Sequence, residues 1–200
     1  WAPGWRGLGP DQISMYDSRI KNERFIFGVT ADYKPADWFR HRLTVGMDAG
    51  DRQNTLFYPI DRTGRAPYGT SVANGYISHY EPTTRDYTVD YAGTLETGLG
   101  LGEDVTSSLS FGIQYIALNY RDRQIVGEGL VADPVRLVSN AATTRAYESQ
   151  SEQRSLGFFL QEQVGWKDRL FVTASLSMDD HSAFGANFSR IYYPKAGVSY

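Results

Sequence analysis

The chain has 200 residues, of which 41% are hydrophobic and 14% aromatic, and its 20 basic and 23 acidic side chains leave a formal net charge of −3. This balance excludes the basic footprint of a nucleic-acid-binding domain, and the absence of cysteine excludes disulfides and thiolate metal sites. No apolar run reaches the roughly 18 residues of a transmembrane helix, but a transmembrane β-strand needs only about 10 alternating residues.

Seven segments alternate apolar with polar side chains, as half-buried strands do. In chain order they are "RFIFGVTADY", "FRHRLTVGMDA", "RDYTVDYAGTLE", "VTSSLSFGIQYIALNY", the two arms of "GFFLQEQVGWKDRLFVTASLSMDD", and "IYYPKAGVSY". Helical spacing occurs nowhere over a comparable length, although "ADPVRLVSNAATTRAYESQ" could hold a helical turn. The polar faces carry mainly Ser, Thr, Gln, Gly and Asp rather than Lys and Glu, which favours a barrel interior over a soluble sheet surface. The sequence therefore predicts an all-β fold.

The connections between these segments are alternately short and long. "KPADW", "GLGLGED" and "KD" are short, whereas the ranges 51–84, 121–153 and 181–190 are longer. Long unstructured connections are uncommon inside compact soluble domains, but short periplasmic turns and long extracellular loops are typical of outer-membrane barrels. We therefore predict an antiparallel up-and-down transmembrane β-barrel, with those three ranges as extracellular loops and 1–23 as a loop or lead-in. An antiparallel sandwich gives the same alternation and stays open.

Seven strands form only part of such a barrel, because bacterial outer-membrane barrels have an even number of strands and open edges promote aggregation. The chain begins without an initiator Met and stops within an alternating run. We therefore expect residues 1–200 to be part of a single barrel domain in a longer protein, with further strands before residue 24 and after residue 200.

The hairpin at 157–180 allows a prediction of strand register. A two-residue turn at Lys167-Asp168 would pair apolar with polar residues along both arms. A turn of three or five residues instead pairs Trp166 with Leu170 and places apolar side chains opposite one another. The remaining predicted pairs are Val164 with Val172, Leu160 with Leu176, and Phe158 with Met178. This register would place Gln161, Gln163, Thr173 and Ser175 together on the barrel interior.

Two stretches carry a family resemblance. "NERFIFGVTADYKPADWFRHRLTVGMDAGDRQNTLFYP" resembles an early barrel hairpin of TonB-dependent outer-membrane transporters of the SusC/RagA-like branch. "SLGFFLQEQVGWKDRLFVTASLSMDDHSAFGANFSRIYYPKAGVSY" resembles that branch more specifically. The matching positions are Phe158, Phe159, Trp166, Asp168, Asp179, Asp180, Ser182, Phe184, Gly185, Tyr193, Pro194 and Tyr200.

This resemblance implies a 22-strand barrel in the outer membrane of a Gram-negative bacterium, plugged by an N-terminal domain that is not in this chain. It implies import of nutrients such as oligosaccharides, peptides or metal chelates, driven by the TonB-ExbB-ExbD complex through other parts of the protein. The expected partners are outer-membrane lipid, the imported ligand and a SusD-like surface lipoprotein, with no nucleic acid. No cofactor and no enzymatic activity are expected.

Several short motifs suggest chemistry without supporting it. Asp179-Asp180-His181 is consecutive on a strand, so its side chains point to alternate faces and do not converge on a metal ion. "GLGLGED" precedes a strand, whereas a phosphate-binding glycine loop precedes a helix. We predict no catalytic, cofactor-binding or metal site.

The predicted loop 51–84 contains the weak candidates for ligand contact. It combines aromatic rings with guanidinium groups, which can stack on a ligand or a partner. The alternative is that these side chains only pack the loop on its neighbours. The candidates are Phe57, Tyr58, Arg62, Arg65 and Tyr68.

Two other functions stay open from the sequence. A passive porin or structural outer-membrane barrel would lack a plug domain and a TonB-contact segment upstream in the full gene. A soluble carbohydrate-binding β-sandwich would partition into the aqueous phase without detergent.

Overall fold

The structure is a computed structural model that describes residues 17–62, 72–98, 104–132, 135–182 and 190–200. The strands in these ranges form one antiparallel sheet, and a 3-10 helix of one turn spans Val138–Asn140. Over the described ranges no helix is long and apolar enough to cross a membrane. The strands are β1 (Asp17–Ala36), β2 (Phe39–Ile60), β3 (Asn74–Tyr80), β4 (Thr83–Gly98), β5 (Val105–Leu130), β6 (Ala141–Trp166), β7 (Leu170–His181) and β8 (Ile191–Ser199).

The strand order is up-and-down. It runs β1-β2-β3-β5-β6-β7-β8, and β4 also pairs with β2 and β5. β3 and β4 therefore occupy one position between the same two neighbours, separated in the chain by Glu81 and Pro82. The eight strands fill seven positions, and each of the seven segments predicted from alternation lies in a strand.

The strands are longer than the sequence predicted. β2 continues to Ile60, β5 continues to Leu130 and β6 begins at Ala141, so most of the described part of the ranges 51–84 and 121–153 is strand and not loop. β1 begins at Asp17, so 17–23 is strand as well. The β6 extension is polar on both faces, and the extensions of β2 and β5 carry apolar residues without a regular alternation. None of them shows the alternation on which the prediction rested. Of the range 181–190, residues 183–189 lie outside the described residues.

Contacts divide the chain into two compact units. Unit 1 is Trp1–Arg24, Gly50–Thr84 and Tyr120–Ser151, and unit 2 is Phe25–Ala49, Arg85–Asn119 and Glu152–Tyr200.

Unit 1 contains a small apolar core. Phe57 on β2 lies opposite Ile77 on β3, and Leu130 joins them; the three side chains are 5%, 0% and 6% exposed. Gly75 has a φ of +89°, and a Cβ there would lie 2.8 Å from Leu130 Cγ, so glycine is required for both conformation and space. The partly buried residues packed on this core are Ile60, Val138 and Ala141.

Unit 2 has the opposite distribution of apolar side chains, because most of them are exposed on one face of the sheet. Each of the following is at least 37% exposed, and all belong to the apolar set of their strands: Phe25, Phe27, Val29, Tyr33, Leu43, Val45, Tyr87, Ile113, Tyr115, Phe158, Leu160, Trp166, Val172, Leu176, Tyr192 and Val198.

The β6–β7 hairpin has the predicted register. Trp166 pairs with Leu170, and the same register continues to Ser155 and His181. The predicted pairs Val164 with Val172, Leu160 with Leu176 and Phe158 with Met178 are all confirmed.

The turn of this hairpin combines a two-residue turn with one extra residue. Lys167 and Asp168 have φ angles of 50° and 52°, and the Arg169 N–H donates to the Trp166 carbonyl at 3.1 Å. Positive φ at both central positions is the geometry of a type I′ turn. Arg169 is the additional residue, and it shifts the register so that apolar residues face each other. The Lys167 N–H also donates to the Asp104 carbonyl at 2.8 Å, which fixes the turn.

Candidate functional site

The face of unit 2 opposite the exposed apolar side chains is polar, and its side chains pair across neighbouring strands. Such pairs satisfy polar groups on the sheet and leave few free charges. The hydrogen bonds on this face are Thr30 with Thr44 at 3.1 Å, Arg42 to Asp32 at 2.6 Å, Arg40 to Glu96 at 2.8 Å, Gln114 to Asp90 at 2.6 Å, Thr94 with Ser110 at 3.3 Å, and Gln163 to Thr173 at 3.3 Å.

One cleft on the polar face lies among β4, β5, β6, β7 and β8 and has a volume of about 450 Å³. Gln114, Asp179 and Lys195 are among the residues that line it. The cleft is open at Gly157 because that residue has no side chain; a Cβ there would lie 3.3 Å from Asp179 Oδ1 and 3.9 Å from Gln114 Cβ.

A second cleft of about 520 Å³ lies among β1, β2 and β4. Its polar walls include Asp32, Lys34, Arg40 and Arg42, and two of its cations are already paired with carboxylates on neighbouring strands. The two clefts make the polar face able to contact polar ligands or another polar domain. They contain no arrangement of a nucleophile with an adjacent base among the described side chains.

The structure separates the members of the Asp179-Asp180-His181 motif. Asp179 lines the first cleft, whereas Asp180 lies 3.5 Å from Arg190 Nε. Within the described ranges no three His, Asp or Glu side chains converge to hold a metal ion.

Three of the five predicted ligand candidates of the 51–84 range lie in the part of the chain that the structure describes. Phe57 is buried in the core of unit 1, where the Arg136 guanidinium lies 4.5 Å from its ring centroid. Tyr58 packs against Tyr76 with ring centroids 5.6 Å apart, and Arg62 is exposed. Arg65 and Tyr68 lie outside the described residues. Phe57 thus packs within this core, and ligand binding by the candidates stays a prediction.

Arg136 links the segment after β5 to the start of β1. Its guanidinium donates a hydrogen bond to the Asp17 carboxylate. The same carboxylate forms an ion pair with Arg19, whose Nη2 lies 3.1 Å from Asp17 Oδ2. The hydrogen bond from Arg136, aided by Arg19, holds the pKa of Asp17 below its ordinary value.

Glu162 is a polar residue that the sequence reasoning passed over. Alternation puts it on the apolar face of β6, between Leu160 and Val164. There it accepts a hydrogen bond from Ser107 Oγ at 2.5 Å, and Ser107 is only 7% exposed. A single Glu within an otherwise apolar set was the signal that could have found it.

His41 is a further polar side chain among the apolar residues, and it alternates with Leu43 and Val45. It stacks on Phe39 with ring centroids 5.1 Å apart and lies 5.5 Å from the Tyr33 ring and 5.7 Å from the Tyr91 ring. This cluster borders the short β1–β2 turn. Aromatic residues concentrate near the interfaces of transmembrane barrels.

A family model described as TonB dependent receptor-like, beta-barrel matches residues 1–200. The chain belongs to this family. The prediction of an antiparallel up-and-down transmembrane β-barrel, of which this chain is a part, is thereby confirmed. A comparison with curated proteins finds no match.

Solved structures of receptor barrels have the same fold. The RagAB peptide transporter matches with a TM-score of 0.73 at 18% identity, over 92% of this chain and 20% of that chain. The RagAB peptide importer in its "open-open" state gives 0.72 at 17% identity, with the same shares of both chains. BauA, the ferric preacinetobactin receptor from Acinetobacter baumannii, gives 0.50 at 11% identity, over 90% of this chain and 28% of that chain.

These identities show likeness of fold alone. The chain also spans only 20% of the RagAB chains that it matches. The activity, substrate and partners of the whole protein do not follow from these similarities.

Proposed function

We propose that this chain is part of the barrel wall of a TonB-dependent importer in the outer membrane of a Gram-negative bacterium, within the SusC/RagA-like branch. The observation that carries the proposal is the division of unit 2 into an exposed apolar face and a paired polar face, in a chain of the receptor-barrel family. A soluble sandwich would bury the apolar face against a second sheet.

In this proposal the apolar face contacts lipid and the polar face lines the lumen. Backbone hydrogen bonds between neighbouring strands satisfy the peptide groups, as a membrane requires. The short turns at 37–38 and 167–169 lie on the periplasmic side, and the longer strand extensions and loops lie outside the cell. A plug domain, supplied by another part of the protein, rests on the polar face.

Transport follows from this arrangement without covalent chemistry. Extracellular loops and lumen residues capture a nutrient such as an oligosaccharide, a peptide or a metal chelate, and TonB, energised by ExbB and ExbD, rearranges the plug. A SusD-like surface lipoprotein is the expected partner at the extracellular side. The loop candidates Tyr58, Arg62, Arg65 and Tyr68 are proposed to contact ligand or partner there.

The test is nutrient uptake by cells that carry the full-length gene. Growth on limiting nutrient should require both this gene and TonB, and deletion of either should abolish uptake. Uptake that persists without TonB would identify a passive barrel instead. Recovery of the full-length protein in the aqueous phase without detergent would contradict any membrane role.

A further inference from the structure

The cleft of about 450 Å³ on the polar face contains a gap that is one side chain wide. Gly157 on β6 pairs with Asp179 on β7, and a Cβ at Gly157 would lie 3.9 Å from Gln114 Cβ on β5. The side chains of Gln114 and Asp179 therefore stand on either side of a residue that has none. Neighbouring strands lie about 4.8 Å apart, so the backbones that flank the gap are roughly 10 Å apart.

An aromatic ring closes one end of this gap. Phe159 is two residues after Gly157 on β6, so its side chain lies on the same face of the sheet. A Cβ at Gly112 on β5 would overlap the Phe159 ring, so the ring rests against the bare backbone of that glycine. Phe159 is nevertheless 40% exposed, and the free part of its ring lines the cleft. We call Gln114, Gly157, Phe159 and Asp179 the Gly157 niche.

The polar side chains of the niche offer hydrogen-bond acceptors. Gln114 Nε2 donates to Asp90 Oδ1 at 2.6 Å, which leaves Gln114 Oε1 as an acceptor. Among the described side chains none donates a hydrogen bond to the Asp179 carboxylate, whereas the neighbouring Asp180 is paired with Arg190. The niche is therefore complementary to a cation that carries several N–H donors.

One cation of the chain, Lys195, also lines the cleft, but at a different height along the sheet. Lys195 on β8 pairs with Ser175, which is four residues from Asp179 on β7. At about 3.3 Å per residue, the two positions are roughly 13 Å apart along the strands. Lys195 therefore does not neutralise the carboxylate of the niche.

We propose that the Gly157 niche binds the guanidinium group of a solute that enters the barrel. A guanidinium is planar, carries N–H donors in a fixed fork and stacks on aromatic rings. It can donate to Gln114 and Asp179 while its flat face lies on Phe159. This inference rests on the proposed importer, which makes the polar face the lumen wall, and it names guanidinium compounds as ligands of that wall.

The first test compares two small cations of equal charge on the full-length protein in detergent micelles. Ethylguanidinium should bind about three- to tenfold more tightly than ethylammonium, because only the guanidinium combines a fork of donors with a face that stacks. Saturation-transfer NMR titrations measure both dissociation constants. Equal affinities would overturn the proposal. An absence of saturable binding, expected if an arginine from another part of the protein fills the niche, would also overturn it.

The second test removes the carboxylate of the niche. Asp179→Asn should weaken ethylguanidinium binding by at least about fivefold, because a charge-assisted hydrogen bond is lost. Asp86→Asn is the matched control: it removes the same charge from the polar face of β4, at a residue that does not line the cleft, and should leave the affinity unchanged. Equal losses in the two variants would show that only the general negative charge of the face attracts the cation.

The third test fills the niche without changing any charge. Gly157→Ala places a methyl group 3.3 Å from Asp179 Oδ1 and should weaken binding by about five- to tenfold, because the methyl occupies space that the ligand needs. Gly197→Ala is the control, since a Cβ at that position on β8 meets nothing within 4 Å. Neither glycine has a positive φ, so alanine suits the backbone at both positions. Equal affinities of the two variants would place the ligand outside the niche.

Failure of the niche is distinguishable from failure of the importer proposal. If nutrient uptake requires TonB and ethylguanidinium does not bind, the importer stands and the niche proposal is wrong. If uptake persists without TonB while Asp179→Asn, but not Asp86→Asn, weakens binding, the importer proposal is wrong and the niche is a site in a passive barrel.

Discussion

Unit 1 and unit 2 each contain parts of β1, β2, β5 and β6, but unit 1 buries its apolar side chains and unit 2 exposes them. Unit 1 packs Phe57, Ile77 and Leu130 against one another, whereas unit 2 exposes side chains such as Leu160 and Val172. Water drives apolar side chains together, and lipid does not. The difference in burial supports the proposal that unit 2, and not unit 1, presents its apolar side chains to lipid.

The largest loss of stability is expected from a substitution in the core of unit 1. Ile77→Ala removes a side chain that is 0% exposed and leaves a cavity between β2 and β5. The free energy of unfolding should fall by about 2–5 kcal/mol. Denaturant unfolding of the full-length protein in phospholipid vesicles measures it. A loss below about 0.5 kcal/mol, the range of ordinary surface substitutions, would mean that unit 1 has no true core.

The next largest loss of stability is expected from a charge on the apolar face of unit 2. Leu160 is six residues before Trp166 and pairs with Leu176, which places it near the middle of an apolar band about 25 Å tall. Leu160→Arg should destabilise the barrel in vesicles by about 2–4 kcal/mol. The matched variant Gln161→Arg, on the polar face, should change stability by only about 0.5 kcal/mol. Equal effects of the two variants would contradict the division into two faces.

A smaller effect is expected at Ser107 and Glu162. Ser107→Ala leaves the Glu162 carboxylate without its donor on the apolar face and should destabilise by about 1–3 kcal/mol. Replacing both partners, Ser107→Ala with Glu162→Leu, should restore or exceed the original stability, because an apolar pair suits lipid better. A double variant less stable than Ser107→Ala alone would show that Glu162 faces a polar partner.

The smallest effect is expected for the pH dependence of the contact between Asp17 and Arg136 in unit 1. Its pKa is lowered by the hydrogen bond from Arg136, so the contact stabilises at pH values above the unfolded pKa and is lost as the pH falls through the lower, folded pKa. Proteolysis of the 131–140 segment should accelerate at acid pH in the unaltered protein. In Arg136→Gln it should be faster at neutral pH and less dependent on pH. An identical pH profile in both proteins would exclude this contact as the cause.

Much of unit 2 could be predicted from the sequence because the two faces of its strands differ. The pairing of Trp166 with Leu170 followed from this rule, since a shift by one residue would have placed apolar opposite polar side chains. The same dependence on alternation hid the strands of unit 1, where polar residues occupy both faces of β6 before Ser155. Alternation also failed to identify Glu162. Its position on the apolar face is explained only by the Ser107 hydroxyl, which donates a hydrogen bond to it.

The ligand candidates show a second limit. Phe57 and Arg136 are far apart in sequence and come together only through the pairing of β2 with β3 and β3 with β5. The sequence allowed Phe57 to be either a ligand contact or a packing residue, and only the long-range pairing of the strands showed that its ring is buried in a core.

The central claim is that one face of β6 contacts lipid and the other contacts water. The most direct test measures the accessibility of each face to a lipid-soluble and a water-soluble reagent. The chain has no cysteine, so Leu160→Cys and Gln161→Cys place spin labels on its opposite faces. In the full-length protein in vesicles, the label at 160 should be relaxed mainly by oxygen, which concentrates in lipid, and the label at 161 mainly by a water-soluble nickel chelate. Equal access of the nickel chelate to both labels would contradict a membrane wall.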